Sequence, residues 1–116
     1  MQIIEPILAD AAAITAIRRD IHAHPELCFE EVRTADVIAK ALTDWGIPVH
    51  RGLGKTGVVG IVRNGTSPRA VGLRADIDAL PMTEHNAFAH ASRHGARCTP
   101  AATTATPRCC WRRPSI

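Results

Sequence analysis

The sequence predicts an α/β fold of two helices followed by about three strands, and three observations carry that expectation. Apolar residues recur at helical spacing through the first 45 positions; β-branched runs bounded by glycine follow up to position 74; and 46% apolar with 22% charged residues is the balance of a globular chain. At 116 residues one domain with a modest core is the natural expectation.

The first helix is expected from Pro6 to about Ala23. Ile7, Ile14, Ile17 and Ile21 lie near helical spacing, and Pro6 suits a first-turn position. Pro25 disfavours helix at His24 and ends the element. A second helix is expected over roughly Glu30–Trp45, where Val32, Ala35, Ile38, Leu42 and Trp45 form an apolar stripe. Glu30 and Glu31 sit at its positive end, and Gly46 suits its termination. Ile47–Arg51, with Pro48, reads as a short edge strand. Gly57–Arg63 reads as a second strand followed by an Asn64-Gly65 turn signal, and Arg69–Arg74 as a third. Beyond Pro81 the pattern fades, and from Gly95 it is lost.

Charge and cysteine change at the same place. Through His94 there are ten Lys and Arg against eleven Asp and Glu; from Gly95 onward four Arg and no acid turn −1 into the total of +3. Cys28 stands apart from Cys98, Cys109 and Cys110, whose spacing matches no CxxC pair. Four arginines among Thr, Ala and Pro are a poor nucleic-acid footprint, so no nucleic-acid partner is expected. No apolar run approaches the roughly 20 residues of a membrane helix, so no membrane association is expected. Met1–Asp10 lacks the basic segment of a secretory signal, and a cytoplasmic location is the default expectation.

Several motifs admit two readings. His22 and His24 form an HxH pair, but residues two apart do not share a helix face, so both read as surface or helix-end histidines. Asp76-Ile77-Asp78 follows the third expected strand: a metal-binding loop and an ordinary acidic turn fit it equally. Gly52–Gly57 lacks phosphate-loop spacing and precedes a strand, so it reads as a glycine-rich hairpin connection. Glu84, His85, His90 and His94 are too loosely spaced to define a site.

RRDIHAHPELCFEE (Arg18–Glu31), GLGKTGVVGIV (Gly52–Val62) and GLRADIDALPMTE (Gly72–Glu84) resemble the hippurate hydrolase and indole-acetyl-amino-acid hydrolase group of the aminoacylase–carboxypeptidase metallopeptidases. The resemblance covers Ile14 to His94. It implies that residues 1–94 are the N-terminal part of a metallopeptidase-like catalytic domain, with an incomplete sheet. Intact members are expected to hydrolyse the amide of N-acyl amino acids with two divalent metals (Zn, Mn, Co or Ni). In the wider family a His-x-Asp pair stands at this strand end, the His a ligand and the Asp orienting a second ligand. Asp76 and Asp78 match those positions. Asp76 is thus the metal-ligand candidate, with a change of donor that weakens the carry-over, and Asp78 is the catalytic-site position.

The group's next motif, close to MHACGHDGHTAMLL, supplies its main ligands. This chain instead reads Gly95 to Trp111 as GARCTPAATTATPRCCW. Joining the last base of each codon from Arg97 to the first two of the next gives a string compatible with that motif at all fourteen positions. Residues 95–116 are therefore expected to be an out-of-frame, unstructured tail. The chain is expected to be an inactive, truncated amidohydrolase that binds none of the family's metals. The alternative is a small α/β binding module, pairing with a full-length relative.

Overall fold

The computed structural model describes residues 5–95, 97 and 98; Met1–Ile4, residue 96 and the rest of the expected tail lie outside the described residues. The elements run α1 (Glu5–Ala23), α2 (Val32–Asp44), β1 (Val49–Leu53) and β2 (Gly57–Gly60). Both helices and the first two strands fall where the apolar patterns place them, shifted by one to three residues at several ends. Among the described residues no helix is long and apolar enough to cross a membrane.

The turn between the helices is built around Glu26. Its carboxylate accepts from two orphan amides of α2's first turn, Arg33 N–H at 3.0 Å and Thr34 N–H at 2.7 Å. Glu31 holds the N-cap position but makes no capping bond. It is buried and accepts instead from Thr56 Oγ1 at 2.6 Å, which ties the hairpin loop to the start of α2. Arg33 reaches back to both oxygens of Asp20 on α1, at 2.9 and 2.8 Å.

The stripe on α2 is only partly the expected one. Ala35 and Ile38 are buried, with Thr34 and Ala39 beside them, whereas Val32 is exposed. The helix ends as the sequence suggests. Gly46 takes φ 73°, its N–H donates to the Thr43 carbonyl, and Ile47 N–H donates to that of Leu42. This pair of bonds is a Schellman closure, which requires a left-handed residue at that position. Leu42 and Ile47 then meet β2: a Cβ on Gly60 would lie 3.1 Å from Ile47 Cγ2 and 3.2 Å from Leu42 Cδ1.

β1 and β2 form an antiparallel hairpin, with Val49 opposite Gly60 and Leu53 opposite Gly57. The register slips between Arg51 and Leu53, leaving Gly52 as a bulge at φ 89°. The glycine-rich stretch is thus a hairpin connection, as its sequence suggests. Phe29 and Lys55, at φ 65° and 82°, are the two non-glycine residues in the left-handed region among those described, and Lys55 Nζ sits 5.4 Å over the Phe29 ring.

The third expected strand, Arg69–Arg74, does not form. Among the described residues this stretch has no ladder partner, and Val71 and Leu73 are 87% and 79% exposed. β propensity expresses itself only through cross-strand pairing, and no described segment supplies a neighbouring strand. What forms instead is a pair of isolated bridges. Leu27 pairs in parallel with Ala79, and Leu80 pairs antiparallel with Cys98. Residues 79–80 therefore lie between the turn after α1 and the segment at 98.

Candidate functional site

The acidic pair comes from the exposed run before those bridges. Asp76 is bound by Arg74, with Nε at 3.0 Å and Nη2 at 2.9 Å from Oδ1; the two side chains are 57% and 90% exposed. Asp78 is half-buried, and its carboxylate accepts no hydrogen bond among the described residues. The next residue is firmly placed: Ala79 is buried and its N–H donates to the Glu26 carbonyl at 2.7 Å. The HPEL turn therefore fixes the place of Ala79. Among the described residues no third donor joins Asp76 and Asp78 in a ligand cluster.

The donors that do converge are elsewhere. His22, expected at the surface, is buried on the last turn of α1. Its Nε2 lies 2.9 Å from Glu84 Oε1, and the two side chains are 8% and 5% exposed. Glu84 also accepts from Asn86 Nδ2 at 2.9 Å and, on its other oxygen, from Ser92 N–H at 2.6 Å. Burial alone would raise the Glu84 carboxyl, but the Ser92 amide, the Asn86 amide and His22 outweigh it and hold it down to about 2. Cys98 completes a group whose donor atoms all lie within 4.8 Å of one another. Its thiol is pushed up by burial and by the Glu84 charge.

Phe88 and His90 stack on each other at 4.1 Å between ring centroids, and both rings lie within 6 Å of the His22 ring. Burial and the charges of Arg19 and Arg18 lower the His90 pKa. His24 stays near the surface, donating from Nδ1 to the Asp20 carbonyl at 2.9 Å.

Glu84 and His90 were not legible as partners of His22, because 62 and 68 positions separate them from it. The signal available was narrower: a histidine one turn after Arg18 on the Ile14–Ile21 side of α1 is placed toward the core. Arg97 and Cys98 fall within the expected tail and are described. Arg97 Nη1 lies 3.7 Å from Glu30, and its carbonyl accepts from Ser92 Oγ at 2.7 Å. The remainder of that expected segment, residues 99–116, lies outside the described residues.

Known proteins match much of this chain. Hippurate hydrolase of Campylobacter jejuni is 45% identical over 84 residues, covering 72% of this chain and 22% of that protein. An N-acyl-L-amino acid amidohydrolase of Geobacillus stearothermophilus is 40% identical over 81 residues, covering 70% and 22%. Among solved structures, a dinuclear metal-binding peptidase of the M20 family from Bacillus subtilis superposes with a TM-score of 0.74 at 33% identity, over 79% of this chain and 26% of that one. A protein of methicillin-resistant Staphylococcus aureus described as an aminohydrolase superposes with a TM-score of 0.81 at 30% identity, over 88% and 27%. No protein-family model matches the chain. The chain spans about a fifth of the length of the curated relatives it matches. On sequence and on fold, this chain is similar to hippurate hydrolase, to an N-acyl-L-amino acid amidohydrolase and to an M20-family peptidase, over about a fifth to a quarter of the length of each.

Proposed function

We propose that this chain is a truncated amidohydrolase of the hippurate type that does not itself hydrolyse N-acyl amino acids. The observation that carries the proposal is the state of the acidic pair. A cocatalytic centre needs several donors around each of two ions, so that one polarises the amide carbonyl and bound water becomes hydroxide near neutral pH. Here Asp76 is exposed and held by Arg74, and no further donor gathers beside Asp78 among the described residues. In the intact family these positions would serve as a metal ligand and as the carboxylate orienting another ligand, with Zn, Mn, Co or Ni as the ions and a small N-acyl amino acid as substrate.

The exposed apolar run supports the same reading. Val71 and Leu73 present β-branched and branched side chains to solvent on a segment without a ladder partner among the described residues. Such a segment suits a place inside a larger sheet, where neighbours supply both pairing and cover. The displaced reading of residues 97–111 supports it too, since a string compatible with the ligand-bearing motif can be read one base away from the frame that yields this chain.

The test has two arms. The chain as it stands, assayed on hippurate and other N-acyl amino acids with added Zn, Mn, Co or Ni, is expected to give no turnover above a metal-only blank. Resequencing the gene around codons 92–98, with expression of the frame-restored product, is expected to recover amidase activity. Turnover by the present chain above the blank overturns the proposal.

A further inference from the structure

We propose that His22, Glu84 and Cys98 form a binding site for one thiophilic divalent cation, with Zn as the natural occupant. The resemblance places no metal ligand on any of these three residues, and the proposal does not depend on the chain's having or lacking amidase activity.

The first observation is the donor set. An imidazole, a carboxylate and a thiol converge with their donor atoms mutually within 4.8 Å. Zn accepts all three types, at about 2.0–2.3 Å each, which puts neighbouring donors of a tetrahedral site about 3.3–3.6 Å apart. His22 and Glu84 are already closer than that, at 2.9 Å. The ion would therefore enter by widening that pair and drawing in the sulfur, by roughly an ångström at most. A soft thiolate beside imidazole selects Zn over Mg or Ca.

The second observation is an unmet demand. The His22 side chain is more than nine-tenths buried, and its Nδ1 has no hydrogen-bond partner among the described residues. A buried ring nitrogen without a partner costs free energy, and a divalent cation on Nε2, the nitrogen that faces Glu84, would offset that cost.

The surroundings are those of a supported site. Ser92 N–H holds one Glu84 oxygen at 2.6 Å and leaves the other facing His22, so the carboxylate is oriented from behind. The stacked Phe88 and His90 rings lie against the imidazole. The Cys98 backbone is fixed by its reciprocal bonds with Leu80, at 3.0 and 3.1 Å. On binding, the cation replaces the thiol proton, which leaves to solvent, and the Nε2 proton facing Glu84, which moves to Nδ1 of the same ring, and it joins the last turn of α1 to the segment at 98.

The test uses the full 116-residue chain, reduced without added thiols and stripped with chelator, then titrated with Co and with Zn against a chromogenic chelator. One equivalent should bind, with a sulfur-to-cobalt charge-transfer band. Cys98→Ser should abolish the band, whereas Cys28→Ser and the pair Cys109→Ser with Cys110→Ser should keep it. Glu84→Gln should weaken Zn by more than the roughly 10- to 100-fold that outer-shell changes cost. Cys98→Asp, which offers a carboxylate in place of the thiol, should still bind Zn but without the sulfur band, separating loss of a ligand from loss of fold. A band that survives Cys98→Ser, or that disappears with the Cys109 and Cys110 changes, overturns the proposal. An unchanged affinity in Glu84→Gln does the same.

Discussion

Replacing Glu26 by Ala should unfasten the start of α2, and the structure allows the cost to be worked out. Two amides lose their acceptor at once, Arg33 N–H and Thr34 N–H, which sit 3.0 and 2.7 Å from the carboxylate oxygens. Loss of a helix cap costs about 0.5–2 kcal/mol, and a negative charge at this helix end contributes about 0.3–1 kcal/mol. Thr34 is 1% exposed, so its amide cannot simply turn to water; leaving a buried donor unmet costs about 1–3 kcal/mol. These contributions overlap and Glu26 is itself half-buried, so about 2 kcal/mol is expected. For a domain of this size that is a fall in Tm of roughly 10 °C. Glu26→Gln should cost about half as much, since the amide keeps one acceptor oxygen but turns an NH₂ toward the second donor.

Urea and thermal unfolding followed by far-UV circular dichroism would measure the change, and amide exchange at Arg33 and Thr34 would localise it. Rescue by Glu31 is not expected, because that carboxylate is already bound to Thr56. A loss below about 0.5 kcal/mol in Glu26→Ala, with both amides as protected as before, would refute the capping argument.

Gly57→Ala should open the hairpin, because the new methyl would lie 2.3 Å from the Leu53 carbonyl oxygen and 3.2 Å from its carbon. Backbone cannot yield as a flexible side chain does, so a loss of at least about 2 kcal/mol and of the β1–β2 cross-strand nuclear Overhauser contacts is expected; an unchanged hairpin would contradict it. Acid should weaken the packing of the segment around Glu84. Its folded pKa, about 2, lies below the ordinary 4.5, so its contribution is fully present above about pH 5 and is lost as pH falls toward 2. Unfolding in the presence of chelator should therefore show a pH dependence over that window that Glu84→Gln removes; an unaltered profile in the variant would count against the assignment.

The apolar periods of Pro6–Ala23 and Glu30–Trp45 and the glycines at 46, 52 and 54 determined the helices, the Schellman closure and the hairpin, because each depends on neighbours within a few residues. The HPEL and RADIDALP segments likewise carried the resemblance to amidohydrolases that the similar proteins bear out. Local sequence could not decide the rest. Glu26, not Glu30 or Glu31, caps α2, since which carboxylate reaches two amides depends on the path of the turn. His22 is buried against Glu84 because the chain returns residues 80–98 to the end of α1. Arg69–Arg74 has strand-forming residues yet forms no ladder with any described segment, since a strand is a relation between two segments and propensity names only one. Asp76 and Asp78 lie in the run just before the Leu27–Ala79 bridge. Whether they become a metal centre rests on donors from other segments, and that is a property of tertiary structure alone.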